Sequence, residues 1–288
     1  MSRPGRAAAL LILPAGLLLA VFLVVPVGYV LALGFNPASD SIGLAPALSL
    51  EHFRRALTDR FFLGILGQSI GIAAATTAIA AALGMLLAVS IWRAPAGLRG
   101  TLVLIVLAPL LVSIVARTYG WMLILGDRGI LNQFLLAAGL IDRPLRILYT
   151  PLAILIGLVH VLLPFMALSI LAALDRIDPA LPEAARTLGA GPLARFTRVI
   201  LPLSVPGLAA GVTIVFSLAV SAYVTPALMG GGVRAGMLTT LIYQQFIVVY
   251  DWHFGAALVG LLLAASLAIV GMTLAASRIG RRRWESPA

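Results

Sequence analysis

Long runs without a charged residue dominate the chain and define its elements. Six such runs are separated by short segments that contain arginine. Each can supply the roughly 20 apolar residues that cross about 30 Å of hydrocarbon as an α-helix. The runs predict six transmembrane helices near residues 8–34, 63–92, 100–125, 148–174, 204–229 and 254–277. The predicted fold class is therefore an all-α integral membrane protein.

The third predicted helix contains a charge and is followed by a shorter apolar stretch. Its charge-free run ends at Arg117, and the apolar pattern predicts that the helix continues to about Leu125. The stretch 129–141 is also apolar, but at about 1.5 Å per residue it spans only about 20 Å. It predicts an interfacial or re-entrant helix rather than a further crossing.

Composition places the whole chain in the membrane class. Hydrophobic residues make up 61%, charged residues 10%, and the mean hydropathy is +1.10, whereas a soluble domain carries about 25% charged residues. All 20 basic residues are arginine and the net charge is +10. Because the arginines lie between apolar runs, they indicate membrane topology and no nucleic-acid partner. The absence of cysteine excludes disulfides and cysteine-based metal sites.

The distribution of arginines predicts the orientation in the membrane. With the N-terminus inside, the inner segments hold twelve arginines and the outer loops hold seven. This excess predicts that both termini, and the loop that contains Glu183, are cytoplasmic. The first apolar run is too long for the core of a secretory signal and lacks a clear cleavage site, which predicts a retained first helix.

A polar segment in the longest inner loop carries a distinctive string. It reads Glu183-Ala184-Ala185, three residues, Gly189, nine residues, then Val199-Ile200-Leu201-Pro202. Asp178 before Pro179 predicts a capped helix start, and Pro182 can restart a short helix with Glu183 in its first turn. Gly189 is typical of a left-handed C-terminal cap. The pattern predicts a short, rigid helix held out from the bilayer, and the alternative is a solvated alanine-rich turn.

This string resembles the cytoplasmic docking loop of the permease subunits of ATP-binding-cassette (ABC) importers, and we call it the docking string. In that family the loop reads Glu-Ala-Ala, three residues, Gly, nine residues, Ile, one residue, Leu-Pro. Val199 is a conservative departure from the isoleucine. The resemblance implies a type I importer transmembrane domain with a cytoplasmic coupling helix, in a bacterial inner membrane. It implies coupling to an ATPase through Glu183, Ala184, Ala185, Gly189, Val199, Leu201 and Pro202.

Other stretches resemble the spermidine/putrescine-type permeases within that family. They are Arg117-Thr118-Tyr119-Gly120-Trp121, Gly129-Ile130-Leu131-Asn132, Gly139-Leu140-Ile141-Asp142, Pro144-Leu145-Arg146 and Leu162-Leu163-Pro164-Phe165. The resemblance implies two ATP-binding subunits, a second permease of different sequence and a periplasmic substrate-binding protein. A homodimer of permeases remains an alternative. The expected solute is a polyamine, with a phosphonate, an opine or ferric iron as alternatives.

The resemblance also implies which subunit binds ATP and how this chain divides into regions. ATP and Mg are expected on the partner ATPase, so this chain needs no cofactor of its own and is not an enzyme. The expected regions are an N-terminal helix and periplasmic segment over 1–62, a permease core over 63–277 and a basic cytoplasmic tail over 278–288. The core includes a coupling loop over 175–203.

The motifs that are missing support this division. The chain has no Walker A phosphate loop, no His-Glu-x-x-His metal site and no Gly-x-Ser-x-Gly elbow. No Asp or Glu lies inside a predicted span. Because proton- and sodium-driven carriers commonly place ionisable residues at the midplane, a secondary carrier is the less favoured alternative.

A few polar and aromatic residues in or beside the spans are candidates for the solute path. Arg117 either reaches the headgroups, with Tyr119 and Trp121 in an aromatic belt, or contributes to a pathway or gate. His160 predicts a hydrogen-bonded contact between helices. Aromatic rings and a carboxylate can hold a cation. The candidate path residues are Arg117, Tyr119, Tyr223, Tyr243, Asp251 and Trp252. The alternative for the last four is helix packing and an interfacial belt.

Overall fold

The computed structural model describes residues 13–37, 48–232 and 236–285, and helices form its regular structure. In chain order they are α1 Leu13–Leu33, α2 Glu51–Thr58, α3 Arg60–Arg93, α4 Ala96–Leu111, α5 Ile114–Leu125, α6 Ile130–Ala137, α7 Pro151–Leu174, α8 Ala180–Thr187, α9 Pro192–Val220, α10 Val224–Met229, α11 Leu238–Val249 and α12 Trp252–Glu285. A single π-helical turn occurs in each of α1, α9 and α11. Residues 8–12 of the first predicted span and 286–288 of the predicted tail lie outside the described residues.

Among the described residues, five helices are long and apolar enough to cross a membrane by themselves. They are α1, α3, α7, α9 and the Trp252–Thr273 part of α12. A sixth span is obtained when α4 and the segment Ile114–Ala137, which are bent by 92°, count together. The prediction of six spans is confirmed on that count. Helix α6 has only eight residues, about 12 Å, and is too short to cross alone.

The third span is broken, so the prediction of one continuous helix to Leu125 was wrong. Helix α4 ends at Leu111, and two residues with extended backbone precede α5. Pro109 in the last turn of α4 lacks a donor for the helical hydrogen-bond ladder, which weakens the helix end. Arg117 Nη2 then donates to the Val112 carbonyl at 2.6 Å. The break is therefore stabilised by a side chain that follows it.

The predicted limits of the fifth span, 204–229, were also wrong. Helix α9 begins at Pro192 and ends at Val220. Beyond its end the Thr239 hydroxyl donates to the Ala222 carbonyl at 2.6 Å, which satisfies a backbone acceptor between α9 and α10. The helix therefore begins before the predicted span 204–229 and ends within it. Charged residues indicate where the hydrocarbon ends, but a helix can begin or end at other positions.

The described residues form two compact units. The first comprises the described residues up to Gly64 together with Leu241–Ala264, and the second comprises Ile65–Thr240 together with the residues from Ala265 onward. In the first unit, the Arg55 guanidinium lies 4.4 Å from the ring centroid of Phe254, which is fully buried. This division reflects packing. The functional division into 1–62 and 63–277 stays a prediction.

Helix α7 forms the core of the second unit, and its buried residues are distributed from Ala153 to Leu174. Glycines on neighbouring helices allow close approach to it. A Cβ on Gly207 of α9 would lie 2.5 Å from the Ser169 carbonyl oxygen, and a Cβ on Gly84 of α3 would lie 2.8 Å from Met166 Cγ. Small residues at such contacts allow membrane helices to pack tightly. The α7–α9 pair is thus a closely packed support for the loop between them, which carries the docking string.

Candidate functional site

Helix α8 holds the first part of the docking string and has a capped start. Asp178 Oδ1 accepts a hydrogen bond from the Ala180 backbone N–H at 2.9 Å, which confirms the predicted cap. The helix begins at Ala180, so the predicted restart at Pro182 was wrong. Pro182 instead lies in the first turn, where its missing donor costs nothing. Glu183 lies in the same turn, as predicted, where its carboxylate suits the helix dipole.

The other end of α8 is closed by a Schellman motif. Gly189 has φ = +82°, as the left-handed cap requires. Its N–H donates to the Arg186 carbonyl, and the Ala190 N–H donates to the Ala185 carbonyl, both at 3.0 Å. The predicted left-handed cap is therefore confirmed. With both ends closed, α8 is a defined element of eight residues rather than a solvated turn.

Exposed leucines accompany α8 in this polar segment. Leu188 is 87% exposed and Leu193 is 74% exposed, on either side of the glycine turn. Glu183 is exposed as well. Large apolar side chains held in water beside charged residues are typical of a surface that contacts another protein.

The last part of the docking string lies in a membrane helix. Val199, Leu201 and Pro202 belong to α9, and the neighbouring Ile200 is almost completely buried. The π-helical turn Phe196–Ile200 ends two residues before this proline. Because proline removes one hydrogen bond of the α-helical ladder and crowds the preceding turn, a wider turn accommodates it without ending the helix. The docking string thus runs from the exposed α8 into α9, which becomes buried at Ile200.

An ion pair connects two of the predicted inner segments. Arg99 Nη2 lies 2.5 Å from both carboxylate oxygens of Asp175. Arg99 is in the first turns of α4, and Asp175 follows the last residue of α7. The segments predicted to be inside, 93–99 and 175–198, therefore meet at the same end of the second unit, as the predicted topology requires.

The candidate path residues divide between the two units. Arg117, Tyr119 and Tyr223 lie in the second unit, whereas Tyr243, Asp251 and Trp252 lie in the first. The guanidinium of Arg117 bonds to the Val112 carbonyl, and its Nε is buried without a hydrogen-bond partner. Tyr119 is 52% exposed and Tyr223 is 37% exposed. Arg117 thus has a structural role at the helix break that neither of the two sequence-based interpretations anticipated.

His160 joins two helices, as predicted. The Trp121 Nε1–H donates to His160 Nδ1 at 3.2 Å, and the rings meet edge to face with centroids 5.5 Å apart. Trp121 lies on α5 and His160 on α7. The prediction of a hydrogen-bonded interhelical contact is confirmed, and the bond ties the residues after the break in the third span to the core helix.

Asp251 in the first unit already has two internal partners. Its Oδ1 accepts a hydrogen bond from the Phe254 N–H at 3.0 Å, which caps the start of α12. Its Oδ2 lies 3.7 Å from Arg55 Nη1. Trp252 packs edge to face against Phe246, with centroids 5.5 Å apart. These contacts support the packing alternative for Asp251 and Trp252 while leaving Tyr243 exposed at 44%.

Sequence reasoning missed a pair of buried histidines in the first unit. The rings of His52 and His253 stack with centroids 6.0 Å apart and an interplanar angle of 14°. The Nε2 atoms of both are buried without a hydrogen-bond partner. Burial lowers the pKa of His52, and the Asp251 carboxylate opposes that effect. The only available signal was that two of the three histidines in the chain flank apolar spans. Within the described ranges, no group of three or more His, Cys, Asp or Glu side chains is placed to hold a metal ion.

Comparisons with known proteins agree with the resemblance. The family model of the binding-protein-dependent transport system inner membrane component matches residues 83–283. The spermidine/putrescine transport system permease protein PotB of Escherichia coli (strain K12) is 34% identical over 239 residues, which covers 83% of this chain and 86% of PotB. PotB of Haemophilus influenzae is 33% identical over 252 residues, 87% of each protein.

The fold is shared with a solved transporter. A crystal structure of a bacterial ABC transporter involved in the import of the acidic polysaccharide alginate aligns with a TM-score of 0.78 over 96% of each chain, at 22% identity. The apolar spans, the docking string on a doubly capped helix and these matches lead to one conclusion. This chain is the permease subunit of an ABC importer and belongs to the family of binding-protein-dependent transport system inner membrane components.

Proposed function

We propose that this permease imports a polyamine of the spermidine and putrescine class. The support is the identity of 34% and 33% to two permeases named for those solutes, over more than four fifths of this chain. We further propose that it works with a second, different permease, two ATP-binding subunits that hold ATP and Mg, and a periplasmic substrate-binding protein. This chain contributes half of the membrane path and none of the hydrolytic chemistry.

The observation that carries the coupling proposal is the rigid, exposed α8. A helix closed by a side-chain cap and a Schellman motif resists fraying, so a force applied to it moves it as a unit. Closure of the ATPases on ATP would displace α8 and, through the start of α9, shift the membrane helices between inward- and outward-facing states. The proposed coupling residues are those of the docking string: Glu183, Ala184, Ala185, Gly189, Val199, Leu201 and Pro202.

The proposed orientation places α8 and both termini in the cytoplasm, where ATP is available. Two observations support it. Arginines are in excess on that side, and the Arg99–Asp175 ion pair holds two of the inner segments at one end of the second unit. The regions 1–62, 63–277 and 278–288 are proposed as the N-terminal segment, the permease core and the cytoplasmic tail.

The proposed solute path includes Arg117, Tyr119, Tyr223, Tyr243, Asp251 and Trp252. Tyr223 has the best support in the second unit, because its exposed ring lies where the backbone leaves the helical ladder between α9 and α10. The face of an aromatic ring is attractive to an ammonium group. Asp251 would have to share its carboxylate between Arg55 and a passing cation.

The decisive experiment is uptake by proteoliposomes that contain both permeases and the ATPases, with the cognate binding protein on the side from which solute is taken up. We expect ATP-dependent accumulation of spermidine, with Tyr223→Ala slowing uptake more than it slows basal ATP hydrolysis. ATP-driven uptake of a phosphonate, an opine or ferric iron in place of spermidine would refute the solute and leave the family assignment intact. Uptake that follows an ion gradient without ATP would refute coupling to ATP.

The coupling helix can be tested by charge reversal with a matched control. Glu183→Arg places a cation in the first turn of α8, which costs up to about 1 kcal/mol locally, and it presents the wrong charge to the ATPase. Glu51→Arg makes the same change in the first turn of α2, where no ATPase contact is proposed. We expect only Glu183→Arg to abolish co-purification of the ATPase and binding-protein-stimulated ATP hydrolysis. Equal behaviour of the two variants would refute the role of α8.

A further inference from the structure

A small cavity lies beside α8 at the edge of the predicted hydrocarbon zone. Its volume is about 340 Å³, and its lining residues are Trp92, Arg93, Pro182, Arg195 and Ile200. Trp92 and Arg93 are the last residues of the apolar helix α3, and Arg195 lies in the first turn of α9. Pro182 belongs to α8. The cavity is therefore lined by α3, α8 and α9, and the last two of these helices carry the docking string.

The charges in this cavity are not balanced. Arg195 Nε is buried without a hydrogen-bond partner. Neither Arg93 nor Arg195 forms an ion pair within the described part of the chain, whereas the nearby Arg99 is paired with Asp175. A buried guanidinium donor without an acceptor is costly, and its planar fork matches the oxygens of a phosphate or a carboxylate. The cavity thus offers two cationic groups and at least one unused donor to an anion.

We propose that this cavity binds the phosphate group of an anionic phospholipid such as phosphatidylglycerol. The position favours a lipid, since basic pockets between membrane helices on the cytoplasmic side recognise anionic headgroups and tryptophan is enriched at the same depth. The acyl chains would follow the apolar surfaces of α3 and α9 into the bilayer. Inorganic phosphate offers the same oxygens without the chains.

A lipid held here would help to position α8. Pro182 forms part of the wall, so the bound headgroup would contact α3, α8 and α9 together. Arg93 and Arg195 both line the cavity, so a phosphate bound there would lie beside two positive charges. Anionic lipid would therefore steady the coupling helix against the end of α3, and transport would depend on membrane composition as well as on ATP.

Lipid retention by the purified full-length complex tests the proposal directly. The complex is incubated with phosphatidylglycerol or phosphatidylcholine, and bound lipid is measured by native mass spectrometry. We expect selective retention of phosphatidylglycerol, weakened about fivefold by Arg195→Gln, since one arginine near an anionic lipid contributes about that factor. Arg195→Lys should restore part of it. The matched control is Arg198→Gln, because Arg198 is exposed one turn further along α9 and does not line the cavity.

Three other outcomes would overturn the proposal. Equal loss in Arg195→Gln and Arg198→Gln would mean a general surface charge. Retention of inorganic phosphate in place of lipid would mean a soluble anion, and unchanged lipid retention with weaker ATPase binding would mean an acidic side chain of the ATPase. If Arg195→Gln fails to assemble, Arg93→Gln gives the same comparison. The measurement uses neither ATP nor solute, so its result is independent of the proposed polyamine import.

Discussion

The left-handed cap at Gly189 allows the coupling helix α8 to be tested by adding a single methyl group, in the variant Gly189→Ala. Gly189 has φ = +82°, and no heavy atom lies within 4 Å of the position that a Cβ would occupy. Gly189→Ala therefore adds no steric contact, and its cost is conformational, about 1–2 kcal/mol for an L-residue in the left-handed region. Gly191 is the matched control, because its Cβ would also meet open space but its φ is −64°, which alanine adopts freely.

A cost of this size shifts the balance between the capped and frayed forms of α8 by a factor of about 5–30. We expect Gly189→Ala to weaken ATPase binding, and to reduce binding-protein-stimulated ATP hydrolysis, by up to that factor. Gly189→Asn should be milder, because asparagine tolerates the left-handed region better than alanine. The measurements are the affinity of the purified permease complex for the ATPase and the stimulated rate of hydrolysis in proteoliposomes.

The variants Gly189→Ala and Gly191→Ala together distinguish the effect of the backbone conformation from the effect of the added methyl group. Both add one methyl group to the same exposed turn, so they change surface area and hydrophobicity equally. If Gly189→Ala couples as well as Gly191→Ala, then the rigidity of α8 is irrelevant to coupling and the mechanism proposed for the docking string is wrong. If both variants lose coupling, the turn contacts the ATPase directly and the cap is not the cause.

Three further predictions concern topology, stability and pH. Cysteines at Ala96 and Ala190 should react with a membrane-impermeant thiol reagent only from the cytoplasmic side and one at Arg128 only from outside, and external labelling at Ala190 would exclude ATPase docking there. Asn132→Ala should lower the unfolding temperature in detergent by the equivalent of about 1–3 kcal/mol, since this buried side chain makes three hydrogen bonds to backbone groups; an unchanged temperature would contradict that. Burial lowers the pKa of His52 below its ordinary value of 6.5, so its contribution to stability is complete above 6.5 and falls as the pH drops below it, because the unfolded chain then binds the extra proton. Thermal unfolding against pH should lose this slope in His52→Gln, and an identical slope would refute it.

Features that depend on short stretches of chain were predictable from the sequence. The thickness of the hydrocarbon sets the number of apolar residues per span, so five crossings follow from counting charge-free residues. The count also predicts the sixth crossing, but not that its helix is broken. The caps of α8 follow from residues that act within five positions of themselves. Asp178 reaches the Ala180 N–H, and Gly189 allows the backbone to close the helix through a positive φ.

The helix breaks were not predictable, although prolines mark candidate positions. Pro164 and Pro206 lie inside α7 and α9, which continue past them, whereas α4 ends soon after Pro109. A proline weakens a helix wherever it occurs. Whether the helix then ends depends on whether other groups satisfy the backbone at the break, and at the third span the Arg117 guanidinium bonds to the Val112 carbonyl.

The partners of the polar side chains were likewise decided by tertiary structure. The sequence alone determined that this is a six-span membrane protein with a short helix capped at both ends in the loop after α7, because hydrocarbon thickness and backbone preference act locally along the chain. It did not determine that Trp121 donates to His160, or that Asp251 is shared by the start of α12 and Arg55. In an apolar span, any polar group will bond to whichever partner packing brings near, and residues far apart in sequence decide that packing. Only the folded chain could therefore show the structural contacts of Arg117, His160 and Asp251.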